Sequence, residues 1–183
     1  MRQIERPGDR GYYSAPAISP NGTNVWLVYN AFTEPYKTSA LGADNDRPLI
    51  GQVLHATVSG GDVGAFTPAH RGQSGDARGS SQNNLAAEFL GDYVYAAATN
   101  DYGMSVWNDV RDAADCGPID QFREDLHNEA LATGQPTAEA EEPRGESEEG
   151  EDADAPVAPA VQQVCPAGFG NSDIFGWSSL ATP

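Results

Sequence analysis

The sequence predicts an all-β chain built from two copies of an antiparallel meander, interrupted late by an acidic stretch with little to bury. Three observations carry that expectation. Before about Asn108 the apolar residues fall in short blocks rich in Val, Ile, Tyr and Trp, which suits strands better than helices. Asn-Gly and Gly-Asp pairs separate those blocks at points where a tight hairpin needs positive φ. A hairpin pattern then recurs at an offset of about 69 residues, as expected of a repeat architecture.

Residues 1–12 form a polar N-terminal segment ahead of the first unit, residues 13–71. Within that unit Ser14–Ile18 and Val25–Tyr29 read as two strands joined by Pro20-Asn21-Gly22. Asn21-Gly22-Thr23 also fits a glycosylation sequon, but Asn-Gly is equally a hairpin turn, and the turn is the reading adopted. A loop from Glu34 to Pro48 contains Asp44-Asn45-Asp46, whose clustered oxygens suit calcium or, as a plainer alternative, are ordinary loop. Leu49–Val58 is the third strand, Ser59–Gly64 a turn, and Ala65–His70 a short fourth strand.

The second unit, residues 72–120, opens with a Gly- and Ser-rich linker, Gly72–Ser81. Asn84–Phe89, a Gly91-Asp92 turn and Tyr93–Ala98 repeat the first hairpin: Pro16-Ala17-Ile18 meets Leu85-Ala86-Ala87, and Val25–Tyr29 meets Tyr93–Ala97. Met104–Trp107 supplies a third strand, whereas Asp109–Leu126 does not read as a fourth, so this unit is expected to be incomplete. A four-stranded meander cannot bury both faces in water, and radial packing of copies, a β-propeller, solves that problem. About two blades are present, too few to close a ring; a solenoid or a flat sandwich is the structural competitor.

Residues 121–132 turn helix-like, with Phe122, Leu126 and Ala130 on one face. Residues 133–160, rich in Glu, Ala, Pro, Gly and Asp, cannot offset their ordering entropy and are expected to be a disordered acidic insertion. Apolar sequence resumes at Val164, and residues 161–183 are expected to pack on the last blade. The 27 acidic against 10 basic residues give a net charge of −17 and offer no basic stripe for phosphates, which excludes a nucleic-acid binder. No apolar run is long enough to span a membrane. Residues 1–7 lack the apolar centre of a signal peptide, so either the chain is cytoplasmic or its true N-terminus lies elsewhere. Cys116 and Cys165 are a disulfide pair in an oxidising compartment and two free thiols in a reducing one; no His lies beside either at metal-ligand spacing.

Tyr13–Gly22 followed by Val25–Asn30 resembles the inner-strand hairpin of secreted bacterial sialidase-like proteins with BNR repeats. Arg78–Leu85, Gly91–Tyr95, Val106–Cys116 and Cys165–Ile174 are similar to the last blade of that group. The hallmark Asp-box, Ser-x-Asp-x-Gly-x-Thr-Trp, is degenerate here: Asp62-x-Gly64 holds the right turn, with Gly60 in place of the Ser and no Trp.

The resemblance implies an extracellular parent that binds or cleaves glycans. Its nucleophile would be a Tyr assisted by a Glu, because the anomeric centre already carries a carboxylate that repels an anionic nucleophile. Tyr13, in Tyr13-Ser14, and Glu88, on the corresponding strand of the next blade, match those roles; Arg78 is the candidate carboxylate clamp and Trp107 the candidate sugar platform. The plainer alternatives are inter-blade packing for Tyr13, a core position for Trp107, a solvated or Arg-paired Glu88, and an Arg78 bound to Asp76 or a backbone carbonyl. The family's acid/base Asp and most of its Arg triad lie in blades absent from this chain. The expected partners are therefore the remaining blades of the parent and a glycan or sialoside ligand, with no cofactor and no metal. The alternative is a non-catalytic propeller serving as a scaffold or protein-interaction module.

Overall fold

A computed structural model describes residues 3–80, 85–86, 90, 93–134 and 156–181. It is mostly β-sheet, in two packed antiparallel sheets. The first contains β1 (Arg10–Ile18), β2 (Asn24–Phe32) and β3 (Pro48–Ser59) in sequence order. Three short strands pair with β3: β4 (Asp62–Val63), β5 (Thr67–Arg71) and β6 (Gly75–Asp76). The second sheet is β7 (Tyr95–Ala98), β8 (Tyr102–Asp109) and β9 (Asp173–Leu180), also in that order.

The β1–β2 turn forms where Asn21-Gly22 predicts it. Gly22 adopts φ +72° and its N–H donates to Ser19 O at 2.8 Å, a conformation that costs a Cβ-bearing residue strain. Asn21 Oδ1 accepts from Thr23 N at 3.1 Å and from the Thr23 hydroxyl at 2.8 Å, which absorbs the sequon residues into an Asx turn. β2 is the most apolar strand of the chain, with Trp26, Val28 and Ala31 fully buried. Its alternation sends Trp26 and Val28 to one face, against the second sheet, and Tyr29 and Ala31 to the other.

The interior lies mainly between the sheets, where Trp26, Val28, Val53, Val94 and Trp107 form one cluster. β1 lies against β7, β2 against β7 and β8, and β3 against β8. Two tryptophans and two glycines fix this contact reciprocally. A Cβ on Gly103 of β8 would fall inside the Trp26 indole, and a Cβ on Gly51 of β3 would fall inside the Trp107 indole. Each ring therefore rests on bare backbone of the opposite sheet, the close approach that only glycine permits. Asn30 Nδ2 crosses the same interface to Asn108 O at 2.8 Å.

The place beside β8, where the sequence leaves the second unit one strand short, is filled by β9. That strand comes from residues 173–180 of this chain, and Trp107 pairs with Phe175 in its register. Between β8 and β9 lies α1 (Gly117–Thr133), which begins four residues earlier than the apolar pattern suggests because Pro118 can occupy its first turn. A short turn of helix, α2 (Val161–Val164), precedes Cys165. The Cys116–Cys165 disulfide, with a Cα–Cα distance of 5.2 Å, joins the start of α1 to the chain that returns into β9. Most of the predicted acidic insertion and most of the predicted Asn84–Phe89 strand lie outside the described residues.

Candidate functional site

One polar constellation crosses the first sheet on the face turned away from the second. Ser14, Tyr29, Gln52 and Arg71 are mutual register partners on β1, β2, β3 and β5. One rung of the sheet thus carries three hydrogen-bonding side chains beside one another. Gln52 is 0 % exposed: its Nε2 donates to Val53 O at 2.9 Å and His70 O at 2.6 Å, and its Oε1 accepts from Arg71 Nη1 at 2.9 Å. Asp9, folded over from the N-terminal segment, takes both Nη atoms of Arg71 at 2.9 and 3.0 Å and the Tyr29 hydroxyl at 2.9 Å. Arg6 closes the top, its N–H donating to the Tyr29 oxygen at 3.1 Å and its Nη1 reaching Gln52 Oε1 at 3.4 Å.

Burial and hydrogen bonding set the charge states of this cluster. Burial alone would raise the Asp9 carboxyl, but the hydrogen bonds from Arg71 and Tyr29 outweigh it and hold the group below its ordinary range. Burial, helped by the Asp9 charge, pushes Tyr29 up to about 12. A phenol in that state keeps its proton at neutral pH and donates it to Asp9.

Of the residues predicted as functional, Tyr13 lies on β1, Arg78 in the turn of helix after β6, and Trp107 on β8. Tyr13 sits at a bulge between the Tyr12 and Ser14 register pairs, with φ +44° and 48 % exposure, its ring edge-on to Tyr12 at 4.3 Å. Glu88 lies outside the described residues. Arg78 is 3 % exposed: its Nε and Nη2 form a fork to Asp76 Oδ2 at 2.9 and 2.7 Å, and its Nη1 donates to Ala40 O at 2.6 Å and Gly42 O at 3.1 Å. Trp107 is buried between the sheets and donates from Nε1 to Asp109 Oδ2 at 3.1 Å. These positions match the plainer alternatives for Arg78 and Trp107. The structure does bring Cys116 and Cys165 together.

Asp76-x-Arg78 has a counterpart in Asp109-x-Arg111. In both, one Asp oxygen accepts the backbone N–H of the Arg at 3.0 Å while the guanidinium turns back onto the same carboxylate. Burial raises both carboxyls, and the arginine hydrogen bonds more than offset it, so each lies below the ordinary range. The guanidinium of Arg111 also covers the Phe175 ring at 3.9 Å, tying the end of β8 to β9. This pair of Asp-x-Arg segments was a signal available in the sequence. Asp9, Gln52 and Arg71 carried none, because only strand register assembles them.

A second buried charge cluster holds α1. Asp120 lies 3.4 Å from Arg78 Nη1 and 3.4 Å from Arg123 Nη1, and Asp115 lies 3.4 Å from Arg78 Nη2. Burial and the neighbouring Asp115 push the Asp120 carboxyl up to about 7, against the pull of the two arginines. Burial lowers the pKa of both His55 and His70, with the Arg111 charge adding to the effect on His70; the first bonds Asn24 Oδ1 at 2.9 Å and the second stacks on Trp177. In the Asp44-Asn45-Asp46 loop the neighbouring cation is the Lys37 ammonium, 2.6 Å from Asp44 O and 2.7 Å from Glu34 Oε2. Among the described residues no group of three His, Cys, Asp or Glu side chains is arranged to hold a metal ion, and no described helix is long and apolar enough to cross a membrane.

Comparison with known protein families, with curated proteins and with solved structures finds no match.

Proposed function

We propose that this chain is a non-catalytic, propeller-type interaction module of an extracellular sialidase-like protein. The observation that carries the reading is the direction of its arginines. Glycan chemistry on a sialoside needs guanidinium groups free to clamp the sugar carboxylate. Here Arg71, Arg78 and Arg111 each grip an internal carboxylate, Asp9, Asp76 and Asp109. Drawing Arg111 away onto a sugar carboxylate would leave the buried Asp109 without its counter-charge, a cost of about 3–5 kcal/mol that a single ligand carboxylate would have to repay.

The propeller element rests on two meander-like sheets packed face to face with a repeated hairpin. The extracellular element rests on the disulfide, which persists in oxidising compartments. The competing reading, glycan hydrolysis with Tyr13 as nucleophile and Glu88 as its base, predicts turnover of a fluorogenic sialoside that Tyr13→Phe abolishes. The scaffold reading predicts that the full chain and Tyr13→Phe both stay at the buffer rate. Turnover that disappears with the phenol oxygen would overturn it.

A further inference from the structure

Arg78 stands where three parts of the molecule meet: the turn of helix after β6 that carries it, the start of α1, and the middle of the loop 33–47 that joins β2 to β3. Its Nε and Nη2 are taken by Asp76, and Nη2 also lies 3.4 Å from Asp115. Nη1 carries two hydrogens and faces three acceptors: Ala40 O at 2.6 Å, Gly42 O at 3.1 Å and Asp120 Oδ2 at 3.4 Å. The loop carbonyls hold the near places and the carboxyl the far one. Which acceptor goes short depends on the charge of Asp120.

The charges around this guanidinium are unequal. Asp76, Asp115 and Asp120 are three carboxyls set against the guanidiniums of Arg78 and Arg123. Asp120 and both arginines are buried, whereas the Asp115 side chain is 39 % exposed. A side-chain hydrogen bond between Asp115 and Asp120 needs a proton on one of the two. With that proton Asp120 is a neutral acceptor; without it Asp120 is a buried anion, which outcompetes a neutral carbonyl for Arg78. On the loop side, Ala40 is 3 % exposed and is pinned at its carbonyl by Arg78 and at its N–H by Glu124 Oε2 of α1, 3.2 Å away. Lys37 pairs with Glu34 and Asp46 and donates to Asp44 O, contacts inside the loop that travel with it and do not anchor it to α1.

We propose that residues 33–47 form a proton-latched flap: the proton shared by Asp115 and Asp120 keeps Arg78 on the loop carbonyls, and its loss draws Nη1 onto Asp120 and frees Ala40 and Gly42 from Arg78. Burial, together with Asp115, holds Asp120 protonated up to about pH 7, against the pull of Arg78 and Arg123. The flap is therefore shut in acid and opens as pH rises through neutrality. This regulation goes beyond the interaction-module reading and does not depend on it.

Lys37 is the single lysine of the sequence and lies in this loop, so a lysine-specific endoprotease reads the opening at one bond, that between Lys37 and Thr38. Cleavage of the full chain is followed from about pH 5.5 to about pH 8.5 and divided at each pH by the cleavage rate of a free peptide of residues 30–47. The normalised rate should rise several-fold with a midpoint at about pH 7. Asp120→Asn, neutral at every pH, should stay at the slow rate throughout. Asp115→Asn, at the exposed member of the pair, should move the rise to lower pH, because the carboxyl that helps to raise Asp120 is gone. A flat normalised rate in the unaltered chain, or a rise that Asp120→Asn retains, overturns the proposal. If Asp120→Asn fails to close the Cys116–Cys165 disulfide, the Asp115→Asn profile decides, and a midpoint that does not move overturns the proposal as well.

Discussion

The two sheets are both antiparallel but are closed by chain from different distances. The first is completed locally: β1, β2 and β3 follow one another and β5 returns within a few residues. The second takes its last strand, β9, only after α1 and the disulfide. Local closure costs little loop entropy, whereas the distant strand must be recruited against a long loop, which the Cys116–Cys165 bond shortens in the unfolded chain. Placement of a strand and dependence on a crosslink are thus linked in the second sheet and independent in the first.

The sharpest way to break this contrast is to remove the crosslink. Cys116→Ser with Cys165→Ser opens a span of 49 residues, worth about 4 kcal/mol in the chain-entropy view. Hydrogen exchange should then show β8 and β9 amides losing protection while those of β2 and β3 keep it. Uniform loss across both sheets would mean that the second sheet does not depend on the bond in particular.

Next in size is the interface between the sheets. Gly103→Ala drives a Cβ into the Trp26 indole and should cost about 3 kcal/mol by denaturant melting. Gly176→Ala, whose Cβ would meet the Val106 side chain at 3.3 Å, should cost under about 1 kcal/mol, because that side chain can move aside. Equal effects would show that the reciprocal Trp–Gly contacts are not what sets the packing.

Titration separates the two regions by sign. The Asp9 carboxyl is held low, so its contribution to the first sheet is complete above about pH 4 and is lost as pH falls through its lowered pKa. The Asp120 carboxyl is raised to about 7, so its contribution beside α1 is complete below about pH 4 and is lost as pH rises toward 7. Melting temperature against pH should therefore peak in the mildly acid range. Asp9→Asn should make the acid side shallower, with Asp76 and Asp109 keeping the rest of it, and Asp120→Asn should flatten the neutral side; a swap of those effects would contradict the assignment.

The smallest effect is expected at the β1 bulge. Tyr13→Gly relieves a left-handed backbone at the expense of one exposed ring contact, so stability should change by no more than about 1 kcal/mol in either direction. A larger loss would mark the ring as part of the core.

These features were unequally legible in the amino-acid order. The β1–β2 hairpin could be read because Ser19, Asn21, Gly22 and Thr23 form the turn largely from local hydrogen bonds, to which Asn100 adds one by accepting the Asn21 N–H at 2.9 Å. The alternation in Asp173–Leu180 is readable, but the partner of that strand is not, because pairing with β8 depends on where α1 and the disulfide return the chain. Gly51 and Gly103 look like weak points in strands until the opposing tryptophan is known. Arg78 in a Gly- and Ser-rich stretch reads as an exposed, ligand-seeking side chain. Its burial is decided by Ala40, Asp115 and Asp120, all remote in sequence.

The paired Trp–Gly contacts also bear on geometry at a larger scale. A single knob in a single groove leaves a pivot, about which one layer can swing over the other. Two knobs on different strand pairs, each seated from the opposite side, leave neither rotation nor sliding. The angle between layers is then a property of two backbone positions and is indifferent to the length of the connecting loops. In any array assembled from this unit, that angle decides whether successive layers curve round to meet the first or continue as an open stack.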